Sequence, residues 1–305
     1  MGVPSRYILH HGAVLRALAR GAVTALRQRS QPSTSAGPPP TPGPTLLAEV
    51  PPLPADLVRA YVRHVGGDPA SYRDELPPHL FPQWVFPLQA RTLQGIHYPM
   101  LRVLNGGCRM EVRAPLPLGQ PLHVSARLLD VDDDGRRARL HQRAVTGTRE
   151  TPEALITDLF VIVPLGRSDG GGAAKRERAR IPRGAREIAY LRIGADAGLS
   201  FAKLTGDFNP VHWVPAYARA MGFGNVILHG FSTMARTFEG LSRHLWAGDT
   251  HRLRVLDVRF TRPLVLPASV GLYIDRVENE QRVYVGDAPG GPAHLAGTYR
   301  TELEA

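Results

Sequence analysis

Apolar side chains recur at helical spacing in one long segment and at alternate positions in the segments that follow it. The helical pattern predicts a helix over about 230–245, with one face formed by Phe231, Met234, Phe238, Leu241 and Leu245. Alternation of apolar and polar residues then predicts strands at about 253–262, 268–276, 281–286 and 293–302. One long apolar helix followed by an antiparallel meander indicates a sheet wrapped around a central helix, which is an α+β fold.

The chain also contains an internal repeat. Residues Ala60–Gly67 parallel Ser200–Asp207, and Arg113–Leu118 parallel Thr261–Leu266 at a similar offset. Each of the two later segments precedes an alternating strand pattern. The repeat therefore predicts two similar units in tandem.

Composition places the boundaries between these units. A stretch rich in Pro, Ser and Thr and a second one rich in Gly and Arg are typical of linkers without regular structure. The predicted organisation is a basic leader and Pro-rich linker at 1–46, a first unit at 47–165, a Gly/Arg-rich linker at 166–184 and a second unit at 185–305.

The leader contains an amphipathic pattern over 11–29. Its apolar face is formed by Leu15, Leu18, Ala22 and Leu26, and arginines lie off that face. An Arg-rich helix without acidic residues is typical of an organelle transit peptide or of a surface helix that contacts anionic lipid. The alternative is a helix that packs on the body of the protein or frays.

The net charge of +10 is concentrated in two segments. Residues 1–48 contain five arginines and no acidic residue, and residues 167–186 contain seven basic and two acidic residues. The rest of the chain is neutral, which argues against a basic face that binds nucleic acid. The sequence has no run of about 18 apolar residues, the length that spans a membrane.

Cys108 is the single cysteine, so the chain has no internal disulfide and no thiolate metal site. That usage fits a reducing compartment. The expected localisation is cytoplasmic, with organelle targeting through the leader as the alternative.

One short string combines groups that can move a proton. Asp207, Asn209 and His212 fall within six residues around Pro210, and Gly230 stands where a strand runs into the long helix. Alone, Asp-X-Asn-Pro is typical of a turn. An acid–base pair beside a helix N-terminus is, however, what an enzyme needs next to a polarised carbonyl.

These residues carry a resemblance to a known family. The string Leu204–His212, followed by Ile227–Gly230, resembles the hydratase motif of (R)-specific enoyl-CoA hydratases and MaoC-like dehydratases, which are hot-dog folds. The two-unit layout resembles that of double-hot-dog (3R)-hydroxyacyl-thioester dehydratases, in which only the second unit carries the motif. The first unit here agrees, because it has Gly67 where the second has Asp207 and lacks Asn-Pro-X-His.

The resemblance implies a fold of two tandem hot-dog units and a role for each matching residue. Asp207 and His212 would form the acid–base dyad for reversible hydration of enoyl thioesters, and Asn209 would orient the dyad or its water. The backbone N–H of Gly230 would bind the thioester oxygen. No metal or redox cofactor is implied, because the thioester is the electron sink and coenzyme A or phosphopantetheine belongs to the substrate.

Two aromatic residues are candidates for the acyl tunnel. Trp213 stands where relatives have a polar or small residue, so it either packs in the core or narrows the tunnel, and Phe231 follows Gly230. His229 is predicted to be part of the turn only. Six further histidines show no ligand-like spacing and are assigned to surface or core; they are His10, His11, His64, His97, His123 and His141.

Alternatives remain for the substrate and for the function. Acyl-CoA and acyl carrier protein are both candidate partners, and the protein is expected to be a monomer or a homodimer. A hydratase of a branched or dicarboxylic acyl-CoA is an alternative that requires an extra cation inside the tunnel. A non-catalytic acyl-binding or lipid-surface protein is another, and a thioesterase on this fold is disfavoured by the intact string.

Overall fold

One antiparallel sheet organises the part of the chain that the computed structural model describes, which is residues 2–17, 19, 38–99, 103–165 and 179–301. The strands of the first half are β1 (Leu46–Val50), β2 (Glu75–Leu76), β3 (Leu104–Val112), β4 (Leu116–Pro117), β5 (Leu122–Asp133), β6 (Arg137–Gly147) and β7 (Leu155–Pro164). Those of the second half are β8 (Arg186–Ile193), β9 (Val255–Phe260), β10 (Ala268–Val277), β11 (Glu280–Gly286) and β12 (Ala293–Arg300). The predicted 166–184 linker lies mostly outside the described residues, as does much of the predicted leader and Pro-rich linker.

Residues 12–17 are helical, and the helices named below accompany the strands. They are α1 (Ala55–His64), α2 (Pro82–Thr92), α3 (Ala197–Thr205), α4 (Pro215–Ala220) and α5 (Gly230–Trp246). The predicted helix over 230–245 is confirmed as α5, and the four strands predicted after it are β9 to β12.

The order of the strands confirms the duplication. The ten-stranded sheet runs β1-β5-β6-β7-β3-β9-β12-β11-β10-β8, so each half has the same order when read inward from its own edge. The halves join where β3 and β9 pair antiparallel, with Cys108 opposite Val258. The pairing places the two units in one continuous sheet.

Each half of the sheet wraps around its own long helix. In the first unit α2 lies across β6, where Trp84 Nε1 donates to Thr146 Oγ1 at 3.2 Å. In the second, α5 packs so closely on the sheet that a Cβ at Gly240 would collide with the Leu272 side chain of β10. This is the α+β arrangement of two tandem hot-dog units, as predicted.

The predicted apolar face of α5 is a core face. Met234, Phe238 and Leu241 are fully buried, and Phe231 meets Phe81 of the first unit edge to face with ring centroids 5.5 Å apart. The apolar stripe therefore stabilises the second unit and its contact with the first.

Short backbone pairings mark the same point in both units. In each unit, a short segment just before the central helix pairs with a segment that follows the helix in the chain. β2 pairs with β4 in the first unit, and Ile227 pairs with Val265 in the second. His79 and His229 thus precede the central helices at equivalent places, which their ring contacts with Tyr61 and Phe201 also reflect.

A carboxylate from the second unit occupies the first. Glu239 of α5 is 5% exposed and accepts hydrogen bonds from Tyr72 Oη at 2.7 Å and from His79 Nε2 at 3.0 Å. A Cβ at Gly67 would overlap this carboxylate where it lies, so Glu239 fills the space beside the position aligned with Asp207.

The start of the chain packs on the body. His11 is buried; its Nε2 donates to the Lys203 carbonyl at 2.9 Å and its Nδ1 accepts from Gln83 at 3.3 Å. Val14 is also buried. Residues 2–17 therefore pack on the body of the protein, which was the alternative to a targeting or lipid-contacting helix. No helix among the described residues has the length and apolarity needed to cross a membrane.

Candidate active site

Asp207 is positioned by the end of α3. The helix stops at Gly206, whose φ of 84° is left-handed and whose N–H bonds the Ala202 carbonyl at 2.8 Å. A Cβ there would lie 2.8 Å from the Cβ of His11 and 2.9 Å from that of Val14. Backbone conformation and packing therefore both require glycine immediately before the carboxylate.

The loop after Asp207 is held by two side-chain turns. The Asn209 N–H donates to Asp207 Oδ1 at 3.3 Å, and the Val211 N–H donates to Asn209 Oδ1 at 3.3 Å, which caps the short 3₁₀ helix Pro210–His212. The Asn209 side chain is thus a cap for the loop. Its role toward the dyad or a water stays a prediction.

His212 is held by one of its ring nitrogens. Nδ1 lies 2.8 Å from the Ile227 carbonyl oxygen, which only accepts, so Nδ1 carries the proton and Nε2 keeps its lone pair. Burial lowers the pKa of His212, and the Asp207 carboxylate partly opposes this. His212 is therefore a neutral base at physiological pH.

His229 belongs to the site, contrary to its assignment from sequence as part of the turn only. Its ring is 1% exposed and stacks on the His212 ring, with centroids 3.6 Å apart and planes inclined by 26°. Its Nε2–H donates to the Asp207 carbonyl oxygen at 3.0 Å. Burial, followed by the neighbouring His212, lowers the pKa of His229 well below its usual value. The signal in the sequence was its place directly before the glycine that begins the long helix.

Asp207, His212 and His229 form one cluster. Each offers one oxygen or nitrogen, and these three atoms lie within 4.8 Å of one another. The Asp207 side chain, 30% exposed, opens the cluster to solvent. Such a donor set can hold one water, and by its chemistry it can also hold a metal ion. Metal binding would compete with the carbonyl contact that fixes a proton on His229 Nε2.

Gly230 begins α5 next to this cluster. As the first residue of a helix it has an N–H without an intrahelical acceptor, at the positive end of the helix dipole. A Cβ at Gly230 would lie 2.9 Å from the Phe260 ring, so the need for glycine has a packing cause as well.

The two predicted tunnel residues lie in different surroundings. Trp213 is 38% exposed and its Nε1 donates to the Phe208 carbonyl at 3.2 Å, which rules out the core-packing alternative. Phe231 is buried between Phe81 and Phe260, with the Phe260 ring centroid 6.1 Å away.

Comparison with known proteins gives a family match within the second unit. Residues 182–287 match the family model described as a MaoC like domain. A Dictyostelium discoideum protein named probable enoyl-CoA hydratase 2 is 23% identical over 60% of this chain and 64% of its own. Mycobacterium tuberculosis 3-hydroxyacyl-thioester dehydratase X is 29% identical over 50% of this chain and 58% of its own. The chain thus spans less than two thirds of these relatives.

Solved structures agree on the fold. The crystal structure of HtdX from Mycobacterium tuberculosis superimposes with a TM-score of 0.67 and 21% identity, covering 85% of this chain and 99% of that one. The match extends over both units. Residues 182–287 are therefore similar to a MaoC like domain, within a fold of two tandem hot-dog units.

Proposed function

We propose that the protein catalyses the reversible hydration of trans-2-enoyl thioesters and the dehydration of (3R)-hydroxyacyl thioesters, as a hydro-lyase of fatty-acid metabolism. The observation that carries the proposal is the Asp207, His212 and His229 cluster beside the helix that begins at Gly230. The names of the relatives support the same reaction class.

In hydration, one water lies between Asp207 and His212. His212 Nε2 accepts a proton from the water as its oxygen bonds to C3 of the substrate. Asp207 accepts a hydrogen bond from the other water hydrogen and stabilises the imidazolium that forms.

The electrons of the C2–C3 double bond move to the thioester oxygen. The Gly230 N–H and the dipole of α5 stabilise the resulting enolate. The imidazolium then returns a proton to C2, so one water has been added and the enzyme is unchanged. Dehydration follows the same steps in reverse.

This chemistry requires no metal or redox cofactor, and we propose none. The carrier is coenzyme A or the phosphopantetheine of an acyl carrier protein. Because the two units already share one sheet within the chain, a monomer is sufficient to build the site, with a homodimer as the alternative. We propose a cytoplasmic localisation, with an organelle as the alternative.

The test is turnover of a short trans-2-enoyl-CoA, followed by loss of the enoyl absorbance and by chiral separation of the product. The expected product is the (3R)-hydroxyacyl-CoA. Asp207→Asn and His212→Gln should each lower kcat by about 10²–10⁴, the usual contribution of a positioned acid–base group.

Asp68→Asn is a matched control, because this exposed carboxylate caps a 3₁₀ turn in the first unit. It should leave kcat unchanged. Activity that persists in both dyad variants would refute the assignment of Asp207 and His212 as the acid–base dyad. A folded protein without hydratase activity would favour the acyl-binding alternative.

A further inference from the structure

The central helix α5 has a polar face that begins at the candidate active site. His229, Ser232 and Arg236 follow one another at spacings of three and four residues, so they lie on one side of the helix. Each has a buried atom without a hydrogen-bond partner among the described residues: His229 Nδ1, Ser232 Oγ and Arg236 Nε. Buried polar atoms are normally paired, so this row indicates a polar ligand.

His64 of the first unit faces the far end of this row. Its carbonyl oxygen accepts a hydrogen bond from Arg236 Nη2 at 2.8 Å, and its own Nε2 is another buried atom without a partner in the described part of the chain. Burial, assisted by the Arg236 charge, lowers the pKa of His64 to about 4. His64 is therefore neutral at physiological pH.

Arg236 is the cation at this end of the row. Burial lowers its pKa to about 10, which leaves it protonated at neutral pH. Within the described residues no carboxylate forms an ion pair with it. Glu239, one turn further along, is turned toward Tyr72 and His79 instead.

Arg236 is partly buried, and withdrawing a cation from water without a counter-ion costs free energy that an anionic ligand would offset. Arginine is well suited to a carboxylate, which it binds through two parallel hydrogen bonds. The unpaired Nε is one of the donors that such a pair can use.

The distance from the thioester site fits a short acyl chain. Gly230 and Arg236 are six residues apart, which is about 9 Å along the helix axis. Side chains on a helix lean over the preceding turn, which displaces the guanidinium along the axis toward Gly230.

We infer that the acyl group of the substrate ends in a second carboxylate that pairs with Arg236. The substrate class is then a short dicarboxylic enoyl thioester, with Ser232 as a further donor to the carboxylate. This inference rests on the proposed hydratase function. It supplies the internal cation that the dicarboxylic alternative required.

The test compares two substrates of equal length on the full chain: trans-2-hexenoyl-CoA and its analogue with a terminal carboxylate. The protein should prefer the dicarboxylic substrate in kcat/KM by about tenfold or more, the value of a charge-assisted hydrogen bond. Arg236→Gln should abolish the preference through KM while hexenoyl-CoA turnover stays within a few-fold. Arg236→Lys should keep part of it.

Arg243→Gln is the matched control, since Arg243 is an exposed arginine in the last turn of the same helix. It should leave the preference intact. Thermal unfolding separates a structural role: Arg236→Gln should not lower Tm, and a lower Tm with an unchanged preference would make Arg236 a structural group only.

Binding of the unreactive adipyl-CoA and hexanoyl-CoA, measured by calorimetry, separates this inference from the proposed function. Tighter binding of adipyl-CoA that Arg236→Gln removes supports the anion site even if neither enoyl substrate is turned over. Equal binding, or turnover without preference for the dicarboxylic substrate, overturns the inference and leaves the hydratase proposal in place.

Discussion

The rings of His212 and His229 stack with their centroids 3.6 Å apart, and each ring donates one N–H to a backbone carbonyl of the site. The stack joins the loop after α3 to the first turn of α5. It therefore couples the position of the proposed base to that of the Gly230 N–H.

His229→Phe keeps an aromatic ring against His212 but removes the donor to the Asp207 carbonyl. We expect kcat to fall about tenfold or more, because a lost hydrogen bond of about 1–3 kcal/mol lets the Asp207 loop shift. KM should change little. Steady-state kinetics measure both, and an unchanged kcat would show that the ring contact alone positions the loop.

The acid limb of the kcat/KM profile should lie below pH 6.5, the ordinary pKa of histidine. Hydration needs neutral His212, and burial lowers its pKa from 6.5. NMR titration of the His212 ring checks the direction directly. In Asp207→Asn the pKa should fall further, because the carboxylate that raises it is gone; a higher pKa would contradict this electrostatic account.

Acid should destabilise the fold partly through His64. Its folded pKa of about 4 lies below the ordinary 6.5, so its contribution is complete above pH 6.5 and is lost as the pH falls toward 4. The full shift of the His64 pKa corresponds to about 3 kcal/mol in the free energy of unfolding. Urea unfolding at several pH values should show that the free energy of unfolding falls less steeply with acid in His64→Gln than in the wild type. Parallel curves would argue against the lowered pKa of His64.

Gly230→Ala should lower both stability and kcat, since the new Cβ would lie 2.9 Å from the Phe260 ring. Phe260→Leu in the same chain should restore much of the Tm. If the glycine is also needed for approach of the thioester, kcat stays low in the double variant. A double variant with normal kcat would show that Phe260 is the sole reason for the glycine.

Chelation should leave the hydratase activity unchanged, because the proposed mechanism uses only side chains and a backbone N–H. Added Zn²⁺ should instead inhibit, by binding the Asp207 and His212 atoms between which the water lies. Activity lost on dialysis against a chelator and restored by a metal would overturn the cofactor-free mechanism.

The sequence predicted the parts of the fold that depend on local periodicity. The stripe of α5 and the alternation in β9 to β12 follow from one face of each element being buried. The tandem units followed from the repeat, and the Asp207 and His212 positions from a short string with fixed spacing.

Other parts depend on contacts between distant segments, which no local pattern encodes. His229 joins the site because its ring meets His212, 17 residues earlier in the chain. Arg236 is partly covered by the end of α1, where its Nη2 donates to the His64 carbonyl. Residues 2–17 pack on α3 although their sequence also fits a targeting helix.

The contact between Gly67 and Glu239 bears on how the two halves diverged. An aspartate restored at position 67 would not recreate a second catalytic centre, because a carboxylate from α5 already fills that space. Nor would the second half be self-sufficient, because Glu239 alone would lose the Tyr72 and His79 donors. The packing of Glu239 thus links the loss of one site to the contact between the two copies.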